Sequence, residues 1–307
     1  MGFPFKLSGT RDRQHYVFRS YLLPWTTNEQ IWVVRQGKIF PANVLKVAVE
    51  RHFYKLQELT QEDITLLRRV AMDGAPKYVQ DRCETLIATF TLPFTIKKLI
   101  DPTNPELMSM SSLLDERIIN TEEELHCDVE EGLLPALSDM LRDNADFYSD
   151  DDQSQEFLHA ICLQYMRTKK RREALRALTR IPVAGADITR FGNLLSLMLA
   201  LRLADSLYRD RAKFKIVLLD NQTDVPFITG DQPIINVHAT LGPGVPERLE
   251  FFYPLSPQKA MLLLETSNRA PSVVSADEIR RFNDLIIQNS HEQVFSNSRE
   301  YLEIQFL

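Results

Sequence analysis

Hydrophobic and polar positions divide the chain into three successive regions. Two β-prone runs flank a Gln-Gly pair within residues 31–40, and this pattern predicts a β-hairpin. From about residue 61 to residue 211, apolar side chains recur at intervals of three and four, which predicts a block of helices. Beyond residue 212, short apolar runs separated by turn residues predict strands, and residues 275–294 predict a closing helix.

This layout predicts an α+β fold. A two-stranded hairpin is marginally stable on its own, so the early strands are expected to join the late ones. We predict an N-terminal hairpin joined to a C-terminal antiparallel or mixed sheet, with a large central helical block. The segments would be an N-terminal β segment over residues 1–60, the helical block over 61–211, and the sheet with its closing helix over 212–307. The first and third segments would form one compact unit.

Two local signals refine the helical block. Thr121 and Glu124 have the spacing of a capping box, which predicts that a helix starts at this point. Pro135 lies inside the helical pattern that follows, and a proline there predicts a kink or a break.

The composition narrows the possible classes of protein. A net charge of −6 disfavours a protein that coats DNA non-specifically, because neutralising phosphates requires surplus lysine and arginine. The three cysteines are far apart and lack zinc-ligand spacing, which fits free thiols in a reducing cytoplasm. The longest uncharged apolar run, residues 191–201, falls well short of the ~20 residues that a membrane-spanning helix needs. We therefore expect a soluble, cytoplasmic protein with no membrane partner.

Charge is distributed unevenly along the helical block. Residues 167–180 carry seven basic side chains, whereas residues 122–156 carry thirteen acidic side chains and a single arginine. The basic run could bind phosphate groups. Its candidate phosphate contacts are Lys169, Lys170, Arg171 and Arg172. The run could equally be paired with the acidic stretch, within the same molecule or in a partner.

Several short motifs occur in a characteristic order. The chain reads QHYVFRSYL near its start, FLHAICLQYMR in the helical block, FITGDQPI near residue 230, and PLSP shortly afterwards. Together these motifs resemble the bacterial and fungal proteins grouped as domain of unknown function 4238. Phe18 stands where that family usually has proline, and Gly230 stands where it usually has serine. The resemblance supports the predicted fold and implies no established reaction.

Three polar residues interrupt apolar helix faces. Gln164 extends the apolar stripe of its helix, and Arg167 lies one turn further along. Glu130 shares a face with three leucines on the preceding helix. Buried polar and charged groups need partners, so Glu130 and Arg167 are predicted to pair. The pair either ties two helices together or belongs to an active site, where Gln164 and Arg167 would contact the substrate.

Two further candidates lie outside the helical block. Asp231 follows a predicted strand, where its carboxylate either caps nearby backbone amides or faces a metal ion or a nucleophile. His15 is either a packing residue or a general acid or base, and Gln14 would face the same cleft. Because the first strand is expected to dock on the late sheet, we predict that His15 and Asp231 lie close enough to share one water molecule or metal ion.

These residues define a leading hypothesis and an alternative. The leading hypothesis is a cytoplasmic hydrolase of nuclease or phosphodiesterase type that acts on RNA, DNA or a nucleotide, for example in phage defence. His15, Glu130 and Asp231 would be catalytic, and Glu130 and Asp231 would also bind Mg²⁺ or another divalent cation. In the alternative, the chain is a non-catalytic regulator. Its polar residues would then form a buried structural network, and it would bind a protein partner or a second copy of itself.

Overall fold

Helices fill the middle of the chain, and strands lie mainly towards its two ends. The computed structural model describes residues 9–101, 103–178, 185–239, 246 and 248–306. In these residues the helices are α1 (Arg19–Leu22), α2 (Gln61–Ala71), α3 (Lys77–Lys97), α4 (Pro105–Leu141), α5 (Asp151–Met166), α6 (Lys169–Leu178), α7 (Ile188–Arg209), α8 (Ala276–Asn289) and α9 (Arg299–Phe306). None of these helices is long and apolar enough to cross a membrane.

The strands form a mixed sheet, an antiparallel sheet and a separate antiparallel pair. They are β1 (Arg13–His15), β2 (Gln30–Arg35), β3 (Lys38–Asn43), β4 (Val49–Arg51), β5 (Phe214–Asn221), β6 (Thr229–Gly230), β7 (Ile235–Asn236), β8 (Phe251–Pro254), β9 (Lys259–Glu265), β10 (Val273–Val274) and β11 (Gln293–Ser296). The mixed sheet has the order β10-β5-β9-β8-β7, and only its β10–β5 pair is parallel. The antiparallel sheet has the order β3-β2-β11-β6, and β1 pairs with β4. The predicted α+β fold is confirmed.

The hairpin is where the N-terminal strands meet the C-terminal ones. Gln36 and Gly37 join β2 to β3, and both have positive φ angles. Such angles at two consecutive turn residues match the twist of paired strands and are typical of two-residue hairpins. Strand β2 pairs on its other side with β11, with Val33 opposite Phe295. The prediction that the early hairpin joins the late strands is therefore confirmed.

The first strand, by contrast, does not dock on the late sheet as predicted. In β1, Gln14 lies opposite Glu50 of β4, and its side chain is fully buried. The Gln14 amide donates to the Ile119 carbonyl on α4 at 2.9 Å and accepts from the Tyr54 backbone N–H at 2.6 Å. A buried amide needs both kinds of partner, and α4 supplies one of them. This part of the docking prediction is wrong, because β1 lies against the helical block.

The aromatic residues that follow β1 belong to the core, and they connect it to the late strands. Tyr16, Tyr21 and Trp25 are buried. The Tyr21 hydroxyl donates to the Pro254 carbonyl at 2.6 Å, and its ring stacks on Tyr253 with ring centres 4.9 Å apart. The N-terminal segment is thus packed between the helical block and the C-terminal strands.

Helix α4 is longer than the sequence pattern indicates. The predicted helix start at Thr121 is wrong, because this residue lies within α4 and its hydroxyl donates to the Arg117 carbonyl one turn earlier. Glu124 pairs with the Arg117 side chain instead of capping a helix end. Pro135 does not break α4, which continues to Leu141. Reciprocal capping boxes do occur elsewhere, at the starts of α2 and α8.

The closing helix is shorter than predicted. Helix α8 ends at Asn289, and Gln293 and Val294 belong to strand β11. The cause is tertiary: the backbone N–H groups of residues 291–293 donate to the Asp231 carboxylate rather than to helical carbonyls. The Asp231 side chain thus holds the junction between helix and strand, and β11 pairs with β2 and β6.

Candidate functional site

A polar cavity of about 340 Å³ opens where the three regions of the chain meet. It is lined by residues in 50–57 after the start of β4, Glu122 of α4, the first turns of α6 and α7, and residues 291–292 before β11. Four glutamates and four lysine or arginine side chains lie in its wall. A cavity of this size and polarity is the best candidate for a ligand site in the described part of the chain.

Glu122 is the deepest charged group in the wall of this polar cavity. It is 1% exposed, and its two oxygens have different partners. One oxygen accepts a hydrogen bond from Nη2 of Arg172 at 3.3 Å, and the other accepts from the Asn193 amide at 3.2 Å. Arg172 and Asn193 also donate to the carbonyl of Phe53, at 2.9 and 3.2 Å. Glu122 is therefore held by side chains from α6 and α7 that share a second acceptor.

Burial controls the protonation of the acidic groups on this part of α4. Burial raises the pKa of Glu122 to about 8, although Arg172 beside it acts in the opposite direction. Burial likewise raises the pKa of the adjacent Glu123 to about 7, and the charge of Arg167 opposes that rise. A carboxyl group with a pKa near neutrality can both give and take a proton, which is what a general acid or base requires.

Glu130 and Arg167 form the ion pair that the sequence predicts. Oε1 of Glu130 accepts from Nη2 of Arg167 at 2.6 Å, which links α4 to the end of α5. The Arg167 Nε and the Gln164 amide both donate to the Tyr16 carbonyl, at 3.3 and 3.1 Å. Burial raises the pKa of Glu130, and Arg167 lowers it. These three candidate residues are brought together around the N-terminal segment, outside the wall of the polar cavity.

Asp231 is a hub of backbone hydrogen bonds. Its carboxylate is 1% exposed and accepts from the N–H groups of His291, Glu292 and Gln293 at 2.7, 2.8 and 3.0 Å. Burial raises the pKa of Asp231, and the three N–H donors oppose that rise. His291 and Glu292 line the polar cavity, so Asp231 fixes part of its rim from behind.

His15 does not join either group through a direct contact. Among the described residues it has no hydrogen bond or ion pair with Glu130 or Asp231, and its Nε2 is buried without a hydrogen-bond partner. Burial lowers the pKa of His15, and the charge of Arg167 lowers it further. The link from the N-terminal segment to Asp231 runs through the next residue, because the Gln293 side chain donates to the Tyr16 hydroxyl at 2.9 Å. A catalytic role for His15 stays a prediction.

The basic run turns towards the protein rather than away from it. Lys169 pairs with Glu50 at 2.6 Å and Glu292 at 3.1 Å, on opposite sides of the cavity rim. Lys170 donates to the Gln288 carbonyl at 2.6 Å, and the Arg171 guanidinium lies 4.0 Å from the ring centre of Tyr165.

Two of the basic side chains meet the acidic stretch. Arg172 contacts Glu122, and Arg167 contacts Glu130, so the two oppositely charged stretches are paired at these points within one molecule. Among the four proposed phosphate contacts, Lys169 and Arg172 line the polar cavity.

The described residues contain no group of three or more histidine, cysteine, aspartate or glutamate side chains placed to hold a metal ion. The two predicted metal ligands also have other partners, since Arg167 contacts Glu130 and backbone N–H groups contact Asp231. Their donor atoms therefore do not form a ready divalent-cation site by themselves. A requirement for Mg²⁺ stays a prediction.

The sequence pattern overlooked Glu122 of the cavity wall and His126, which lies one turn further along α4 outside that wall. They occur four positions apart, and Glu130 follows after the same interval, so all three share one face of α4. The available signal was this repeat of titratable residues at helical spacing. It was masked by the apparent capping box at Thr121, which placed Glu122 in the first turn of a helix, where an acidic residue is ordinary.

Comparison with known proteins identifies a family whose function is unknown. The family model described as protein of unknown function, DUF4238, matches residues 13–300. No curated protein and no solved structure matches the chain.

Proposed function

Because the chain belongs to the DUF4238 family of proteins of unknown function, we propose a function from the chemistry of the polar cavity: a cytoplasmic acid/base enzyme for a small phosphate-bearing substrate. The observation that carries the proposal is Glu122. It is a buried carboxyl group in a cavity wall, and burial raises its pKa to about 8. Strongly perturbed acids in clefts are concentrated at functional sites.

The cavity wall supports a phosphate-bearing molecule of nucleotide size. Lys169 and Arg172 are cations in this wall, and phosphate is the anion that such side chains commonly bind. The present partners of Lys169, Glu50 and Glu292, are half-exposed, so exchanging them for phosphate costs little. Three further glutamates beside Glu122 in the same wall disfavour a long polyanion, which makes a nucleotide a better substrate than a nucleic-acid duplex.

The proposed reaction is hydrolysis of a phosphate ester of phosphodiesterase type. Glu122 would give its proton to the leaving oxygen as the bond from phosphorus to oxygen breaks. Water would supply the incoming oxygen and release one proton to the solvent, from which Glu122 would be protonated again. Arg172 and Asn193 would then stabilise the Glu122 carboxylate. The substrate phosphates would supply most of the ligands for the predicted Mg²⁺, because this ion is often bound with few protein ligands.

A turnover screen tests the proposal. The purified protein would be incubated with nucleotides, cyclic nucleotides and short oligonucleotides, with and without Mg²⁺. We expect Glu122→Gln to lower kcat about 10²–10⁴-fold, as loss of a general acid does. Glu131→Gln, an exposed site on the same helix, is the matched control and should keep parental activity. A Glu122→Gln enzyme with parental turnover would contradict the assignment.

A second function is favoured by a different observation. Glu130, Arg167 and Asp231, which the sequence predicts as site residues, all make internal contacts, as they would in a non-catalytic regulator of a phage-defence system. Such a regulator would act through a protein partner or as a homo-oligomer. Light scattering would test this by measuring the mass of the purified protein alone and mixed with candidate partner proteins. Turnover in the screen above would count against a non-catalytic regulator.

A further inference from the structure

His126 lies directly behind Glu122 on α4, one turn further along the helix. It is 1% exposed, and its Nε2 is 3.6 Å from Oε1 of Glu122. Its ring packs against Tyr54, with ring centres 4.4 Å apart. Neither ring nitrogen has a hydrogen-bond partner in the described part of the chain. A buried histidine with two unpaired nitrogens is costly, and the candidate catalytic carboxyl group is an acceptor close to one of them.

The surroundings of His126 keep its ring neutral. Burial lowers the pKa of His126 well below its ordinary value, and the nearby charges of Arg167, Arg172 and the more distant His159 act in the same direction. The groups that face Glu122 are Glu123 on α4, Arg167 at the end of α5, Arg172 on α6 and Asn193 on α7. Burial and the two arginines disfavour an imidazolium, so His126 is unsuited to be the base.

We infer that His126 is a positioning residue: its neutral imidazole directs an Nε2–H at Oε1 of Glu122 and stabilises the carboxylate that remains when Glu122 has given up its proton. The inference rests on the proposed function, which makes Glu122 the proton donor. A separation of 3.6 Å is longer than a good hydrogen bond. The contact would shorten when Glu122 is ionised, because charge-assisted hydrogen bonds are shorter and stronger.

This role differs from that of the other two partners of Glu122. Arg172 and Asn193 face the polar cavity, where a substrate phosphate competes for the same donors. His126 is not part of the cavity wall, so no ligand displaces it. It would therefore be the partner that Glu122 keeps throughout a catalytic cycle.

An NMR titration tests the inference without a substrate. The carboxyl carbon of Glu122, assigned by its loss in Glu122→Gln, would be followed from about pH 5 to 10 in carbon-13-labelled protein. His126→Phe keeps the ring against Tyr54 and removes the donor, so we expect it to raise the pKa of Glu122 by about 1. His126→Gln, which retains an N–H donor, should bring the pKa back towards the parental value. His159→Phe, another largely buried histidine, is the matched control and should leave it unchanged.

A second measurement covers the case in which His126→Phe does not fold. Nitrogen-15 shifts of the parent protein report the tautomer of His126, and we expect a neutral ring protonated on Nε2. A charged ring, a proton on Nδ1, or the same Glu122 titration in parent and His126→Phe would overturn the inference. If turnover is found and the Glu122 titration does not move, only the role of His126 fails. If the titration moves and no phosphate ester is turned over, the contact stands and the proposed function fails.

Discussion

Asp231 and Glu122 are equally buried carboxyl groups, but their hydrogen-bond donors are of different kinds. Asp231 accepts three backbone N–H groups, which belong to consecutive residues of one segment. Within the described residues, Glu122 accepts hydrogen bonds from side chains of two helices, and it lines a cavity. Backbone donors cannot leave without local unfolding, whereas side-chain donors can exchange partners. The difference in donors supports a structural role for Asp231 and the reactive role that we propose for Glu122.

Asp231 also affects the candidate site, because it holds part of the rim of the polar cavity. The segment that Asp231 holds carries Glu292, which pairs with Lys169 across from Glu50. A structural residue thus determines where one wall of the candidate site lies. If this comparison is right, substitutions at the anchor should cost mainly stability, and substitutions in the wall should cost mainly function.

The largest effect is expected for Asp231→Ala. Three buried N–H groups would lose their acceptor, so we expect the free energy of unfolding to fall by about 3–5 kcal/mol, measured by urea denaturation. Asp231→Asn keeps one carbonyl oxygen and should lie between the parent and the alanine variant. Asp224→Ala, at an exposed position seven residues earlier, is the control and should change stability by less than about 0.5 kcal/mol. An Asp231→Ala protein as stable as the parent would remove the contrast with Glu122.

The ion pair between Glu130 and Arg167 should show the next largest effect. Glu130→Ala leaves a buried guanidinium without its carboxylate, so we expect a loss of about 3 kcal/mol in the free energy of unfolding. Glu130 is itself 26% exposed, which keeps the loss near the lower end of the usual range. Removing both charges, with Glu130→Met and Arg167→Met, should recover part of the stability. Glu131→Ala serves as the exposed control, and a loss there as large as at Glu130 would rule out the pairing as the cause.

Local sequence signals predicted the elements whose cause is local. The Gln36-Gly37 hairpin and helix α2 follow from turn chemistry and from hydrophobic spacing, and both occur close to where they were expected. The pairing of Glu130 with Arg167 could also be predicted from the sequence, because both residues interrupt apolar faces. In these cases the stabilising groups lie on the element itself or on a neighbouring helix.

The remaining features depend on contacts that span the whole chain. At the junction of α8 and β11, Asp231, 62 positions before Gln293, accepts the N–H groups that would have continued the helix, and β11 then pairs with β2 from the start of the chain. Docking of β1 on α4 depends on Gln14 meeting the Ile119 carbonyl, 105 positions away. Neither contact leaves a periodic pattern in the sequence. Glu122 likewise became a candidate only once α6 and α7 were seen to enclose it.

The pH dependence of stability separates Glu122 from ordinary carboxyl groups. The folded pKa of about 8 lies above the ordinary value of 4.5, so the folded state keeps a proton that the unfolded chain releases. The free energy of unfolding should therefore fall as the pH rises towards 8, by up to about 1.4 kcal/mol per pH unit for one such group. Glu123, with a pKa of about 7, contributes in the same direction.

The window from about pH 6.5 to 8 is the informative one for this test. The lowered pKa values of His15, His126 and His159 make stability rise with pH, but only up to the ordinary histidine pKa of 6.5. Urea denaturation at several pH values in this window should show a flatter slope for Glu122→Gln than for the parent. Equal slopes would mean that Arg172 keeps Glu122 ionised in the folded protein.

The smallest expected effect is on ligand binding, and it distinguishes two neighbouring lysines. Lys169 lies in the wall of the polar cavity and Lys170 does not, although both have internal partners. We expect Lys169→Gln to weaken binding of a nucleoside monophosphate about 5-fold, measured by calorimetry, because a partly exposed charge contributes about 1 kcal/mol. Lys170→Gln is the matched control and should change the Kd less than about 2-fold.

If a nucleic acid instead binds along the basic run, either substitution should weaken its binding to a similar extent. Each lost phosphate contact lowers the salt dependence of binding by about the same amount. If the two substitutions change the Kd of a mononucleotide equally, its phosphate lies outside the cavity. Glu122 would then have no bound substrate to act on, and its proposed difference from Asp231 would lose its support.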